Sequence, residues 1–293
     1  MSKMVRPRRS ILYMPGSNAR ALEKGRTLAA DGLILDLEDA VAPDVKETAR
    51  KQVSDAIRQG GYATRELIVR VNSMDTPWGP DDLNAAATMG ADAVLLPKVE
   101  SAGAVHQAEE ILSTVGAPDD LTIWCMMETP LGMLHAEEIA HASSRVGGLV
   151  MGTSDLAKDL QCAHTHERLP FVTSLGLCML AARAAGIVIL DGVHLNLNDD
   201  GGFEYSCKQG AELGFDGKTL IHPKTIDAAN KAFSPPPEII EWSKKIISAH
   251  AEATAEGKGV VVVEGKLIEN LHVMNAERLV AMAEAIETME KNL

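Results

Sequence analysis

Three carboxylates follow an apolar run in the segment LILDLEDAV, residues 33–41. Asp36, Glu38 and Asp39 lie within four positions, and like charges this close repel one another unless a cation lies among them. One interpretation is a strand that reaches solvent and is followed by a helix cap. The other is the edge of a site that also contains positive groups. The choice depends on which residues lie at the same end of the fold.

Polar side chains occupy the corresponding position after the other apolar runs. In chain order they are Arg70, Asn72, Lys98, Glu100, Glu128, Asp155, Asp191, Lys218 and His222. The carboxyl ends of the strands of a β/α barrel share one face, so these side chains would meet the three carboxylates there. This pattern predicts a site with several carboxylates and at least one arginine.

Glu128 and Asp155 are the candidate metal ligands. So many facing carboxylates require a cation, and no His or Cys joins these two at a suitable spacing. Hard oxygen ligands favour Mg²⁺ over zinc. Asp155 in GTSDLA could by itself be a helix cap, but its placement on one face with Glu128 favours the metal. The sequence HTHE at 164–167 lies in a polar stretch and is predicted to be solvated surface.

The elements that would position these residues alternate regularly. Helical patterns separate eight strand-like runs, which predicts an α/β fold of the (β/α)8 TIM barrel type. The runs are SILYM (10–14), LILDL (33–37), LIVRV (67–71), AVLLP (93–97), TIWCMM (122–127), GLVMG (148–152), IVILDG (187–192) and FDGKTLI (215–221). The alternative is a doubly wound open sheet, but the GxGxxG fingerprint of its nucleotide-binding members is absent. The nearest match to a Walker A loop, ELGFDGKT, has Glu212 in place of the first glycine.

The chain changes character at SPPP, residues 234–237, which cannot continue a helix or a central strand. A helical pattern (238–256), a hairpin turning at Glu264–Gly265 and a final helical segment (274–290) follow. We predict a barrel catalytic domain over residues 1–233. Residues 234–293 would form a C-terminal helical and hairpin extension that packs on the barrel or on a neighbouring subunit.

Composition excludes several classes of partner. The net charge of −13 over 293 residues argues against a general nucleic-acid binder, which needs a basic face. No apolar run approaches the roughly 20 residues that span a bilayer, and ILYM after the basic N-terminus is too short for a secretory signal. The four cysteines form no CxxC pair, which is typical of reduced thiols in a cytoplasmic protein.

Seven motifs resemble, in order, those of the HpcH/HpaI aldolase and citrate lyase β-subunit family. They are RSILYMPGSNARALEK, LDLEDAVAPDVKETAR, IVRVNSMDTPWG, LLPKVES, METPLG, GTSDLAKDL and GFDGKTLIHPKTI. The resemblance is strongest to the branch that acts on coenzyme A thioesters. It implies a (β/α)8 barrel, dependence on Mg²⁺, and a homotrimer or homohexamer in which the C-terminal extension forms a lid over a neighbouring subunit's site.

The resemblance also implies roles for individual residues. The family's metal ligands fall on Glu128 and Asp155, and its substrate-binding arginine falls on Arg70. Asp36, Glu38 and Asp39 would then orient metal-bound waters and neighbouring groups. Coenzyme A contacts are expected from Tyr13, Arg20, Lys24, Ile221 and His222. Family members often carry Arg directly after PGS, whereas this chain has Asn18 there and Arg20 two positions later.

Glu269 is the informative departure from the family pattern. Lyases of this family place an aspartate in the GxxxD segment of the extension, and this chain reads GKLIENLH. With glutamate at this position, the segment resembles that of the malyl-CoA thioesterases. This resemblance implies hydrolysis of (3S)-malyl-CoA to malate and coenzyme A, with Glu269 as a catalytic residue. The alternatives are a malyl- or citramalyl-CoA lyase, a citrate lyase β-subunit and a non-catalytic barrel. Glu269 could also be a surface carboxylate on a hairpin.

Overall fold

The computed structural model describes residues 5–292, and these form two compact units. The first unit, Arg8–Phe233, contains a closed barrel of eight parallel strands in chain order. The predicted (β/α)8 fold is therefore confirmed, and the open doubly wound alternative was wrong. The strands are β1 (Ser10–Pro15), β2 (Gly32–Asp36), β3 (Glu66–Arg70), β4 (Ala93–Leu96), β5 (Thr122–Met127), β6 (Val146–Met151), β7 (Val188–Asp191) and β8 (Gly217–Leu220).

Ten helices surround the barrel within the described part of this unit. They are α1 (Ala19–Gly25), α2 (Lys46–Gln59), α3 (Gly79–Met89), α4 (Ala102–Thr114), α5 (Pro130–Leu134), α6 (Ala136–Ala140), α7 (Thr153–Leu160), α8 (Val172–Ala185), α9 (Asp200–Leu213) and α10 (Ile226–Phe233). Short 3₁₀ turns lie at Pro43–Val45, Leu169–Phe171 and Pro223–Thr225.

Alternation along the strands divides the apolar residues of the barrel into two layers. One set faces the helices, as Leu33, Leu35 and Val69 do, and joins the large core between strands and helices. The other set fills the barrel interior with Ile11, Ile34, Ile68, Ala93, Leu95, Trp124, Met126, Val150 and Leu190. The interior is thus a packed core, and a ligand can reach only its ends.

The largest interior side chain requires a glycine opposite it. A Cβ on Gly148 would lie 3.0 Å from the Trp124 ring, and β5 and β6 are in register at these two residues. At the amino ends of the strands, Arg9 and Asp31 form a buried ion pair with two hydrogen bonds of 2.9 Å between their side chains. That end of the barrel is therefore closed by packing and charge pairing.

The second unit comprises residues 5–7 and 234–292. It contains α11 (Pro237–Ala255), β9 (Val261–Val263), β10 (Lys266–Ile268) and α12 (Asn270–Lys291). The predicted hairpin is confirmed: β9 and β10 pair antiparallel, and both turn residues, Glu264 and Gly265, have positive φ. Its core packs Ile246 of α11 against Val263, Ile268 and Val273.

No helix among residues 5–292 is both long and apolar enough to cross a membrane.

Candidate active site

Arg70, the last residue of β3, lies among all three carboxylates of LILDLEDAV. Its Nη2 and Nε donate to the two oxygens of Asp36 at 2.6 and 2.7 Å. Its Nη1 lies 2.9 Å from Glu38 Oε2 and 3.4 Å from Asp39 Oδ2. The acidic cluster is therefore neutralised in part by a buried guanidinium, which answers the question raised by its sequence.

The Arg70 guanidinium is held on a further side by an aromatic ring. Its central carbon lies 4.9 Å from the centroid of the Tyr13 ring, within the range of a cation–π contact. Ion pairing and hydrogen bonding with Asp36 keep the pKa of Arg70 well above its ordinary value, although burial acts in the opposite direction. Because Nη2 has one acceptor among the described residues, its second N–H remains free for a ligand.

Glu128 follows β5 and is also buried. Its Oε1 accepts a 2.7 Å hydrogen bond from the backbone amide of Lys98, and no side chain or amide of residues 5–292 hydrogen bonds to its Oε2. Burial raises the pKa of Glu128 to about 7, and the nearby charges of Glu38 and Asp155 act in the same direction. Lys98 adopts φ 49°, a left-handed conformation that a non-glycine residue rarely takes, and its Nζ lies 3.0 Å from Glu38 Oε1.

Gly152 makes room for the Glu128 carboxylate. A Cβ at position 152 would lie 2.4 Å from Glu128 Cβ and 2.6 Å from Oε2. Any side chain larger than hydrogen would therefore displace the carboxylate. Gly152 is also the N-cap residue of α7, whose first turn contains Asp155.

Glu128 and Asp155 fit a divalent cation. Both line one cavity, and the charge of Asp155 contributes to the raised pKa of Glu128. The described residues provide no cation hydrogen bonded to either carboxylate group. Within residues 5–292 no group of three or more His, Cys, Asp or Glu side chains is arranged for metal binding. A site with two protein carboxylates and further oxygens from water or substrate is typical of Mg²⁺.

These residues surround a cavity of about 370 Å³, which we call the site cavity. Of the predicted site residues, the structure brings together here Tyr13, Asp36, Asp39, Arg70, Glu128, Asp155 and Ile221. The remaining wall is largely apolar, with Met126, Met151, Val193 and Leu195. The cavity therefore combines a hydrophobic wall with one guanidinium and a pair of carboxylates.

Other predicted residues lie outside the site cavity. Arg20 and Lys24 are exposed one turn apart on α1, and His222 is exposed at the start of a 3₁₀ turn. Glu38 lines a second, more open cavity of about 630 Å³ together with Lys98. Glu269 belongs to the second unit, where it is the N-cap residue of α12 and its amide donates to Nδ1 of His272 at 3.1 Å.

The prediction that Lys218 lies at the carboxyl end of β8 was wrong. Lys218 is the second residue of that strand and is fully buried, with its Nζ 2.8 Å from Asp191 Oδ2. A lysine can lie inside the barrel because a buried carboxylate accepts from it there. Asp191 itself is the last residue of β7 but does not line the site cavity.

Two residues that position Glu128 were not predicted from the sequence. One acts through its backbone amide and the other through its lack of a side chain. The amide of Lys98 and the missing side chain of Gly152 both fix Glu128, and neither belongs to a residue type that suggests this role. Gly152 could have been noticed, because it stands between a strand and the candidate ligand Asp155. The apolar wall gave no signal, since its members look like ordinary core residues.

Known proteins match this chain over nearly its full length. A curated (3S)-malyl-CoA thioesterase from Cereibacter sphaeroides is 49% identical over 286 residues, which cover 98% of each chain. The citrate lyase subunit beta of Escherichia coli is 36% identical, over 96% of this chain and 95% of its own.

Solved structures show the same fold. CitE from Mycobacterium tuberculosis, in complex with magnesium, acetoacetate and coenzyme A, has a TM-score of 0.74 and 28% identity, over 94% of this chain and 97% of its own. The citrate lyase beta subunit of the same organism, complexed with oxaloacetate and magnesium, has a TM-score of 0.67 and 30% identity, over 80% of this chain and all of its own. The family model for HpcH/HpaI aldolase/citrate lyase matches residues 9–223. The chain therefore belongs to the HpcH/HpaI aldolase/citrate lyase family.

Proposed function

We propose that this protein is a Mg²⁺-dependent thioesterase that hydrolyses (3S)-malyl-CoA to malate and coenzyme A. The observation that carries the proposal is the site cavity, in which the carboxylates of Glu128 and Asp155 and the guanidinium of Arg70 line one space. A cation and a guanidinium can together bind a substrate that presents a carboxylate, a hydroxyl and a thioester oxygen. Identity of 49% to a curated (3S)-malyl-CoA thioesterase supports the choice of acyl group.

Glu128 and Asp155 would hold the Mg²⁺. When bound, Mg²⁺ supplies positive charge that orients the oxygens of the malyl group and stabilises negative charge on them. Arg70 would donate its free N–H to the substrate carboxylate or thioester oxygen. Asp36 fixes the guanidinium for this task before substrate arrives, so its orientation costs little during the reaction.

Coenzyme A would extend from the site cavity towards solvent. Tyr13 and Ile221 line that cavity, and the exposed side chains of Arg20, Lys24 and His222 are the proposed partners of its anionic and adenine groups. The chain as a whole carries a net charge of −13, so an anionic ligand requires local cations of this kind.

Glu269 is the proposed base. It would accept a proton from the water that attacks the thioester carbon, and it would then give this proton to the sulfur of coenzyme A as the carbon–sulfur bond breaks, which releases malate and the thiol. We propose that Glu269 acts on the site of a neighbouring copy in a homotrimer or homohexamer. In support, the hairpin, the residue that precedes it and the start of α12 expose apolar side chains that a second copy could cover: Val260, Val262, Leu267, Leu271 and Met274.

A malyl- or citramalyl-CoA lyase is the second candidate, favoured by the nearly full-length similarity to citrate lyase β subunits. Mixing the purified protein with Mg²⁺ and malyl-CoA distinguishes the two. Malate and free coenzyme A support the thioesterase, whereas glyoxylate and acetyl-CoA support a lyase. No turnover by the purified chain would contradict both.

Oligomeric state and location have their own tests. Light scattering after size exclusion should give three or six times the mass of 31.3 kDa. We also propose a cytoplasmic location, which cell fractionation would test.

A further inference from the structure

A separate cavity of about 310 Å³ lies beside the site cavity, and we call it the side cavity. Its walls come from the segments between β6 and β7 and between β7 and β8, together with Lys218 of β8. It shares Thr153, Val193 and Leu195 with the site cavity, so the two are neighbours. Neither the proposed metal ligands nor Arg70 line it.

Two cations of the side-cavity wall, Arg168 and Lys218, share one buried carboxylate, that of Asp191, which is not itself a wall residue. Asp191 and Lys218 are both fully buried, and Asp191 accepts from Lys218 Nζ at 2.8 Å. Asp191 also accepts from Nη1 of Arg168 at 2.7 and 2.9 Å. One carboxylate thus meets two cations. The wall itself contains the carboxylate of Asp199, whose side chain is 47% exposed and accepts from the amide of Gly202 at the start of α9.

Two nitrogen atoms in this wall have no hydrogen-bond partner among the described residues. They are Nη2 of Arg168 and Nε2 of His194, and both atoms are buried. The nearest carboxylate oxygen to His194 Nε2 belongs to Asp199 at 4.0 Å, beyond hydrogen-bond distance. Leaving a buried donor unsatisfied costs about 1–3 kcal/mol, more for a charged group, so native sites rarely keep two of them.

The Arg168 guanidinium is fixed before any ligand binds. Its Nε donates to Oε1 of Gln209 at 2.6 Å while Nη1 is bound by Asp191, which leaves Nη2 as the unused end. The Arg168 backbone has φ 55°, a left-handed conformation that costs energy in a non-glycine residue. Strain at a residue that holds an unused donor is typical of a binding site.

We propose that the side cavity binds a small carboxylate anion, whose oxygens accept from Arg168 Nη2 and from His194 Nε2. An ordered water could also satisfy the donors, but a carboxylate adds a full negative charge beside the guanidinium of Arg168. Arg168 and a carboxylate form a charge-assisted hydrogen bond, the stronger kind of contact. Burial, with the charge of Lys218, lowers the pKa of His194, although a hydrogen bond with the backbone of Asn196 raises it. The imidazole can donate to a ligand through Nε2 when that nitrogen carries the proton. The proposal needs neither Mg²⁺ nor coenzyme A.

Binding of acetate to the metal-free protein tests the proposal. Sodium acetate is titrated in EDTA at constant ionic strength, and both the melting temperature and the histidine ring signals are recorded by calorimetry and NMR. We expect saturable stabilisation and a saturable shift of the His194 ring signal, which is assigned from its loss in His194→Gln.

The variants separate the two donors from general effects on the fold. Arg168→Lys and His194→Phe should each weaken acetate binding by about tenfold or more, the usual effect of losing a hydrogen bond to a charged group. A phenylalanine ring can replace the His194 ring, because Phe203 already packs edge-on against it, with 6.0 Å between the ring centroids. His194→Gln keeps an N–H near the position of Nε2 and should retain binding. His141→Gln, at an exposed histidine, is the matched control and should bind as the unchanged protein does.

Three results would overturn the proposal. They are no saturable effect of acetate, full affinity in His194→Phe, and binding of inorganic phosphate in a parallel titration without binding of acetate. If Arg168→Lys does not fold, the pair His194→Phe and His194→Gln decides alone. Turnover of malyl-CoA is measured separately, so failure of the proposed function leaves this result interpretable.

Discussion

Asp36 and Arg70 are the last residues of neighbouring strands and are direct partners in the β2–β3 register. The register places the carboxylate beside the guanidinium, and two side-chain hydrogen bonds of 2.6 and 2.7 Å join them. Because backbone pairing sets their separation, the orientation of Arg70 is a property of the barrel itself. The pairing of β2 with β3 therefore places the charge that is proposed to meet substrate oxygens.

Replacement of Arg70 by lysine should lower kcat/KM for malyl-CoA by about 10²-fold or more. An ammonium cannot bind both Asp36 oxygens and a substrate oxygen with the planar geometry of a guanidinium. Steady-state kinetics measure the effect. Arg50→Lys is the matched control, because Arg50 forms a similar 2.7 Å pair with Asp82 away from the site cavity. Near-native rates in Arg70→Lys would give Arg70 a structural role only.

Loss of either proposed metal ligand should abolish turnover without unfolding the barrel. We expect Glu128→Ala and Asp155→Ala to retain the circular dichroism of the unchanged protein, since neither carboxylate belongs to the apolar core and the buried Glu128 loses one hydrogen bond, to the amide of Lys98. EDTA should inactivate the protein, and added Mg²⁺ should restore it. Asp119→Ala, at an exposed carboxylate, should behave like the unchanged protein. Full activity in EDTA would exclude a metal-dependent reaction.

Binding of Mg²⁺ should weaken as the pH falls below 7. Burial raises the pKa of Glu128 from 4.5 to about 7, so below that pH the metal-free protein holds a proton that Mg²⁺ must displace. The apparent Kd should rise about tenfold per pH unit below 7 and level off above it. The same shift lowers the free energy of unfolding of the metal-free protein as the pH rises from 4.5 through 7. Over this range the Glu128 carboxyl loses its proton readily in the unfolded chain, whereas burial disfavours its charged form in the folded protein. Calorimetric titration at pH 5.5, 6.5 and 8 tests the first effect, and a Kd independent of pH would contradict it.

Lys98→Gly should be more stable than Lys98→Ala by about 1 kcal/mol. Both variants lose the contact between Nζ and Glu38, but only glycine adopts φ 49° without a steric penalty. Both keep the backbone amide that binds Glu128, so their affinities for Mg²⁺ should agree. Urea unfolding of the two variants gives the difference in stability. Equal stabilities would mean that the turn relaxes when the side chain is removed.

Glu269→Gln should reduce malate release by about 10²-fold or more, the usual contribution of a general base, because an amide cannot accept the proton. Coenzyme A binding should change little. Glu269→Asp should also weaken hydrolysis, and formation of glyoxylate by this variant would indicate that carboxylate reach selects the reaction. Glu277→Gln, at an exposed position of α12, is the control. Unchanged hydrolysis in Glu269→Gln would leave that residue as a helix cap alone.

The barrel was predictable because each strand is a short apolar run that ends in a polar residue, and eight such runs alternate with helices. Asp36, Arg70, Glu128 and Asp155 followed from the same reasoning, since parallel strands bring their ends together. Lys218 was misplaced because a charge inside a strand looks like the end of that strand, and only a distant partner, Asp191, makes its burial possible. Contacts made by backbone amides, such as that of Lys98, depend on local φ and leave no trace in residue type.

The glycine at position 152 limits which sequences can form this site. Carboxylates, an arginine and a barrel can all be present while the site is blocked by one methyl group at this position, because that group would occupy the volume of the Glu128 carboxylate. A sequence pattern for the activity must therefore require glycine at this position as strictly as it requires the functional groups. In protein engineering, Gly152→Ala would displace the Glu128 carboxylate and leave the net charge of the protein unchanged.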